Sequence, residues 1–188
     1  MIASVGMFVI QMAALSGLQV VATASPQNFD LLKSFGAKYV FDYKSPTVIE
    51  DISKITSGRL QYIYDCHATE GSTQKAAQCL PGAGGKVVTL LYIDESTLGK
   101  NVQVLVPLLY KITGKEFPFA GKMMPASPED EAWAEEWVVK LSKLLAEGKI
   151  KGNPVKVMGG LEAVQEGFKY MQEGKVRAQK LVYEIVKE

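Results

Sequence analysis

The sequence is poor in the residues that mark metal sites, disulfide frameworks and nucleic-acid surfaces. Two cysteines, Cys66 and Cys79, and one histidine, His67, occur in 188 residues. These side chains cannot fill a tetrahedral zinc site without carboxylate help, and no Cys-x-x-Cys spacing is present. The 21 Lys and Arg nearly balance the 20 Asp and Glu, which leaves a net charge of +1. We therefore expect two free thiols in a reducing compartment, no metal and no nucleic-acid partner.

Long apolar runs and a secretory leader are also missing. No segment reaches the roughly 18 to 20 apolar residues of a membrane span. Residues 1–15 are apolar, but they lack a basic start and are interrupted by Ser4 and Gly6. This pattern argues against a signal peptide. The expectation is a cytoplasmic protein with no membrane partner.

Short apolar runs alternate with helical segments through the first half of the chain. The pattern predicts helices over residues 4–15, 28–35, 46–56 and 69–80 and strands over residues 19–24, 39–43, 62–66 and 86–91. The first helix is apolar almost all round, so we expect it to be buried or to lie against a sheet. Continuous apolar strands favour a parallel sheet that is covered on both faces. Right-handed crossovers then give an α/β fold, a doubly wound, Rossmann-like parallel sheet with helices on both faces.

The second half begins with an irregular connection over residues 94–128, in which 102–112 is either strand or helix around Pro107. Residues 129–147 form an amphipathic helix, and residues 160–173 form another, with strands over 155–157 and 180–186. The first of these helices carries a stripe predicted to be core: Trp133, Trp137, Leu141, Leu144 and Leu145. We predict one domain over 1–188, made of βα repeats (1–93), the connection (94–128) and the C-terminal elements (129–188).

Ligands of such sheets bind beyond the carboxyl ends of the strands. The helix start at Ser4, Val5 and Gly6 is a candidate pyrophosphate site, because helix N-termini bind anions. Gly6 allows close approach and Ser4 offers a hydroxyl. The full GxGxxG fingerprint is absent, and a helix cap with a packing glycine is the alternative interpretation.

The turn after the strand over residues 19–24 bears on cofactor choice. NAD-binding sheets place an acidic residue here to bind the ribose diol. This chain has Ser25-Pro26-Gln27-Asn28 and no acid until Asp30. The hydroxyl of Ser25 and the amide of Asn28 tolerate a 2′-phosphate that a carboxylate would repel. A 2′-phosphorylated nucleotide is therefore compatible with this turn, and an ordinary polar turn is the alternative interpretation.

The segment from Asp65 to Glu70 is the candidate catalytic cluster. His67 is a possible general acid or base, with Asp65 or Glu70 as its orienting partner. Tyr92, at the end of the next strand, belongs to the same candidate set. Cys66 is expected to pack beneath the cofactor rather than to attack a substrate. The alternative is a rim histidine at a helix start.

Several segments, in this order, carry a family resemblance: residues 3–6, 21–30, 36–37, 41–43, 65–66, 84–86, 113–117, 159–164, 174–176 and 180–183. On these the chain resembles the medium-chain dehydrogenase/reductase superfamily, in particular fungal trans-acting enoyl reductases and quinone-oxidoreductase-like proteins. The resemblance implies NADPH as cofactor, with Ser25, Lys33 and Tyr43 contacting its 2′-phosphate. It also implies that a barrel-like catalytic domain and the first Rossmann strand are missing before Met1.

The resemblance implies a reductase that delivers hydride to an enoyl or enone double bond of a small secondary-metabolite or polyketide-type substrate. Two alternatives remain. The first is a non-redox isomerase, cyclase or lyase that uses the former cofactor pocket through His67, Asp65, Glu70 and Tyr92. The second is a non-catalytic dimeric subunit. In each case a homodimer or a partner is expected to cover the truncated sheet.

Overall fold

The computed structural model describes residues 4–185, with the side chain of Glu70 outside that description. The helices are α1 (Ser4–Leu15), α2 (Phe29–Ser34), α3 (Val48–Thr56), α4 (Glu70–Ala77), α5 (Pro128–Ala146) and α6 (Val164–Gln172). The strands are β1 (Val20–Ala24), β2 (Ala37–Asp42), β3 (Tyr62–Asp65), β4 (Gly85–Thr89), β5 (Val102–Leu105), β6 (Phe117–Phe119), β7 (Lys122–Met124), β8 (Val155–Gly159) and β9 (Lys180–Tyr183).

The described residues form two compact units. One contains the chain up to Leu105 and from Gly152 onwards, and the other spans Val106–Lys151. The prediction of a single domain stays a prediction. The final strand was expected to reach Val186, which lies outside the described residues, and β9 ends at Tyr183.

The first unit consists of parallel strands that alternate with helices. β1 pairs with β2, β4 lies between β3 and β5, and β8 pairs with β9, all in parallel. This confirms the predicted α/β class. Among the described residues β1 pairs only with β2 and β3 only with β4. The strands β1 and β3 therefore each keep one edge unpaired within the described residues.

Helix α1 packs on β1, β2 and β3. Its residues Met7 and Ile10 are buried in a cluster with Ala24, Leu32, Phe35 and Ala37. The expectation that α1 is buried or lies against a sheet is confirmed by this packing, although Val5, Phe8 and Leu15 remain 40%, 36% and 45% exposed. One face of the helix lies on the strands, and the described residues leave the opposite face largely open to solvent. The helix stops as predicted at Gly17, whose φ of 79° suits glycine.

Residues 94–128 are more regular than the sequence indicated. Val102–Leu105 forms β5, Pro107 follows it, and Leu109–Thr113 is a short 3-10 helix, so the ambiguous segment contains both structures. β6 and β7 form an antiparallel hairpin. Its two linking residues, Ala120 and Gly121, both have positive φ, which is typical of the tight turns that join twisted strands.

The stripe of α5 is not a core. Within the described structure no residue of α5 is buried, and Trp133 and Leu145 are 58% and 46% exposed. The rings of Trp133 and Trp137 stack on one another at 5.8 Å. In its own unit α5 packs against the short 3-10 helix Leu109–Thr113. That element is too small to cover an apolar stripe of five residues, which explains why the prediction was wrong.

No helix within residues 4–185 is long and apolar enough to cross a membrane.

Candidate functional site

The strand registers bring the predicted site residues to two places on the first unit. Ala24 of β1 lies opposite Asp42 of β2, so Ser25 and Tyr43 follow neighbouring strand ends. Asp65 of β3 lies opposite Thr89 of β4, so the segment from Cys66 onward runs beside residues 90–92. We call the first place the β1/β2 end and the second the β3 end.

The β1/β2 end offers polar groups that the local structure leaves unused. Ser25 and Asn28 stand at the starts of the 3-10 turn and of α2, and neither side chain makes a capping hydrogen bond. Tyr43 is 38% exposed and Lys33 is exposed in the last turn of α2. Since no carboxylate occurs from Ser25 to Phe29, this end presents hydroxyl and amide groups without a nearby negative charge in the turn.

The first turn of α1 lies against the β3 end. A Cβ placed on Gly6 would lie 3.5 Å from the Sγ of Cys66. The structure thus brings Gly6 of the candidate pyrophosphate site close to Cys66. This is an ordinary van der Waals distance, so the packing against Cys66 leaves room for a Cβ at this position.

Asp65 is the best-connected side chain of the site. Its Oδ1 accepts hydrogen bonds from the amides of His67 (2.9 Å) and Ala68 (3.1 Å). Its Oδ2 accepts from the hydroxyls of Ser72 and Thr73, both at 2.7 Å. Burial alone would raise the pKa of Asp65, but these hydrogen bonds outweigh it and hold the pKa below its usual value. Asp65 is therefore an ionised anchor for its own turn, in which Ala68 has a φ of 52°.

This geometry bears on the predicted proton-transfer set. Asp65 binds the backbone amide of His67 rather than its imidazole, and His67 is exposed. Glu70 is the first residue of α4, and its side chain lies outside the description. Tyr92 is 85% exposed beyond β4. The roles of these four residues in catalysis stay predictions.

Burial, followed by the charge of Asp65, raises the pKa of the Cys66 thiol to about 11. The thiol is therefore protonated at neutral pH. A protonated, half-buried thiol is a poor nucleophile, which agrees with a packing role.

Three residues of α4 were not singled out from the sequence. Ser72 and Thr73 close the Asp65 turn, and the Nζ of Lys75 donates to the carbonyl of Tyr43 at 2.7 Å. Thr69 and Ser72 form a capping box at the start of α4, but Ser72 stands where the sequence signature has Glu or Gln, so the spacing did not indicate the contacts with Asp65. The contact of Lys75 spans 32 residues, and nothing local in the sequence signals it.

The donor set does not suit a metal. No group of three or more His, Cys, Asp or Glu side chains in the described part of the chain could hold an ion. A surface depression of about 580 Å³ is lined by residues of α6 alone: Gln165, Phe168, Lys169, Met171 and Gln172. None of the predicted site residues lines it.

The family model described as zinc-binding dehydrogenase matches residues 4–138. The chain is 37% identical to the trans-enoyl reductase mpsG of Macrophomina phaseolina over 96% of its length and 52% of that protein. It is also 37% identical to the trans-enoyl reductase FSL5 of Gibberella zeae, over 96% of its length and 51% of that protein. The chain thus spans about half the length of these relatives.

Solved structures show the same fold at low identity. The CurK enoyl reductase matches with a TM-score of 0.73 and 21% identity, over 98% of this chain and 52% of that one. The structure of CurA in complex with NADPH from Vibrio vulnificus matches with a TM-score of 0.68 and 16% identity, over 99% of this chain and 55% of that one. On the family match, the chain belongs to the zinc-binding dehydrogenase family, within the medium-chain dehydrogenase/reductase superfamily.

Proposed function

We propose that this chain is the nucleotide-binding part of an NADPH-dependent reductase that acts on an activated, enoyl or enone, double bond. The observation that carries the proposal is the β1/β2 end, where Ser25 and Tyr43 lie side by side and no carboxylate occupies the turn. An acid at this place selects the unphosphorylated ribose. The names of the similar proteins, trans-enoyl reductases, support the substrate class.

In this proposal the chain binds the nucleotide through groups at both strand ends. The amides of Ser4, Val5 and Gly6, at the positive end of α1, bind the pyrophosphate. The side chains at the β1/β2 end hold the phosphorylated ribose: Ser25, Asn28, Lys33 and Tyr43. Cys66 lies beneath the nucleotide as a neutral packing group.

The β3 end supplies the groups that act on the substrate. When bound, reduced nicotinamide supplies the hydride for the β-carbon of the double bond. Tyr92 donates a hydrogen bond to the substrate carbonyl oxygen, and the imidazole of His67 delivers a proton to the α-carbon. Asp65 fixes the turn that presents His67. A second copy of the chain or a partner supplies the remaining wall of the cleft and covers the unpaired edges of β1 and β3.

The first test is a titration of the protein with NADPH, followed by melting temperature and fluorescence. A bound ligand at a hundredfold excess over its Kd stabilises a protein by about 2.7 kcal/mol, so a clear upward shift is expected. The absence of any shift at millimolar NADPH would rule the proposal out.

The second test is turnover with a short enoyl thioester, followed by loss of nicotinamide absorbance. The His67→Gln variant should lose turnover by about a hundredfold, which is the usual contribution of a general acid. Its Kd for NADPH should stay within about twofold of the parent value. Unchanged turnover in this variant would remove His67 from the mechanism and leave nucleotide binding intact.

A further inference from the structure

Two lysines flank Tyr43 at the β1/β2 end. The Nζ of Lys75 lies 2.7 Å from the Tyr43 carbonyl oxygen, and the Nζ of Lys44 lies 5.8 Å from the centroid of the Tyr43 ring. The ion pairs seen within residues 4–185 involve other lysines, namely Lys143, Lys149 and Lys175. Neither Lys44 nor Lys75 takes part in these ion pairs, and the nearby Asp42 carboxylate accepts a hydrogen bond from the backbone amide of Lys44 at 2.9 Å.

Lys75 is held in place by the β3 end. It lies on α4, and the start of that helix is fixed by the hydrogen bonds of Ser72 and Thr73 to Asp65. From there its side chain reaches Tyr43, beyond the end of β2. Lys75 is thus the described side chain that joins the two strand ends of the candidate site.

The bonding of Lys75 leaves capacity for an anion. An ammonium group has three N–H donors, and the Tyr43 carbonyl takes one of them. The remaining N–H donors of Lys75 lie beside Tyr43, with the charge of Lys44 nearby. Tyr43 follows the end of β2, and Ser25 follows the end of the neighbouring strand β1. A phosphate dianion is a ligand that an ammonium group with free donors and a second lysine nearby suits well.

We infer that Lys75, assisted by Lys44, is a specificity-determining residue that makes the β1/β2 end select 2′-phosphorylated nucleotides. Lys75 does this by binding the phosphate while it holds the Tyr43 backbone in place. The inference rests on the proposed function, because it names the residue that gives the proposed site its preference for NADPH over NADH.

The test compares Kd values for NADPH, NADH and adenosine 2′,5′-bisphosphate in the full chain. Lys75→Met should raise the Kd values for NADPH and for the bisphosphate by about tenfold or more, as expected for loss of one charge-assisted hydrogen bond. NADH, which lacks the phosphate, should change by less than about twofold. Lys75→Arg should recover most of the loss, and Lys54→Met, which removes an exposed charge from α3, should leave all three values unchanged.

The outcomes separate this inference from the proposed function. If Lys75→Met weakens the binding of NADPH and NADH equally, Lys75 only holds the Tyr43 backbone in place, and its role in specificity is overturned. Unchanged NADPH binding would overturn the inference while the proposed function stands. If the parent protein binds neither dinucleotide but binds the bisphosphate through Lys75, the phosphate site stands and the reductase proposal fails. Binding of none of the three overturns both.

Discussion

The β3 end and the β1/β2 end differ in how fully their polar groups are used by the fold. At the β3 end a buried carboxylate, Asp65, accepts four hydrogen bonds from its own turn and from α4. At the β1/β2 end the side chains of Ser25 and Asn28 make no capping bonds, and Tyr43 is 38% exposed. One end is closed by internal bonds, and the other has donors available to a ligand.

This difference separates stability from recognition. Removing a buried group that satisfies several donors leaves those donors unpaired, which is among the most destabilising changes known for single substitutions. Removing an exposed group with no internal partner costs the fold little. We therefore expect the loss of Asp65 at the β3 end to act on folding and substitutions at the β1/β2 end to act on ligand choice.

The largest expected effect is that of Asp65→Ala. It leaves two backbone amides and two hydroxyls without their acceptor, so we expect the free energy of unfolding to fall by about 3 kcal/mol. The measurement is chemical denaturation followed by circular dichroism. Asp94→Ala is the matched control, because the Asp94 carboxylate also accepts from a nearby backbone amide, that of Ser96, but is fully exposed. A loss no greater in Asp65→Ala than in the control would contradict the comparison.

The next effect is on ligand choice at the other end. Ser25→Asp puts a carboxylate where the proposed 2′-phosphate binds. We expect this to weaken NADPH binding by about ten- to a hundredfold, while NADH binding is unchanged or tighter. Stability should stay within about 0.5 kcal/mol, since an acid at a helix start is favourable. Isothermal titration with both nucleotides checks this.

The control for that substitution is Ser53→Asp, which adds the same charge at an exposed position of α3. It should leave the ratio of the two Kd values unaltered. An equal loss of NADPH and NADH in Ser25→Asp would mean that Ser25 does not face the ribose. In that case the β1/β2 end would not be the part of the site that selects the nucleotide.

Sequence patterns predicted the helices and strands better than they predicted which helix faces are buried. The alternation of apolar strands and helices predicted the parallel α/β fold, and most element bounds agree with the structure within about two residues. The α5 stripe failed because helical periodicity reports which residues share a face, while burial depends on what packs there. For α5 the packing element within its unit is a short 3-10 helix, and that is a property of the tertiary structure.

For the candidate site, the sequence predicted which residues follow the strand ends but not the hydrogen bonds that these residues make. Ser25 and Tyr43 were placed correctly at strand ends because strand ends follow from the strand pattern. Asp65 was expected to orient His67, whereas its carboxylate binds the backbone of that residue. The Asp65 carboxylate folds back onto the amides two and three residues later, and this depends on the local backbone geometry of a turn that no glycine or asparagine marks in the sequence.

The smallest expected effect is the pH dependence that Asp65 gives to stability. Its pKa in the folded state is lower than the value of about 4 that an unfolded aspartate has. The unfolded chain therefore binds the proton more tightly, so the stabilisation that the Asp65 carboxylate contributes is fully present above about pH 4 and is lost as the pH falls through the lower folded pKa.

The Asp65→Asn variant tests this, because it keeps the Oδ1 acceptor for the two amides and does not titrate. We expect the difference in unfolding free energy between parent and Asp65→Asn to be constant from pH 5 to 7 and to narrow towards pH 3, measured by urea denaturation at each pH. A difference of the same size at pH 3 and pH 7 would show that the hydrogen bonds of Asp65, rather than its charge, hold the β3 end together.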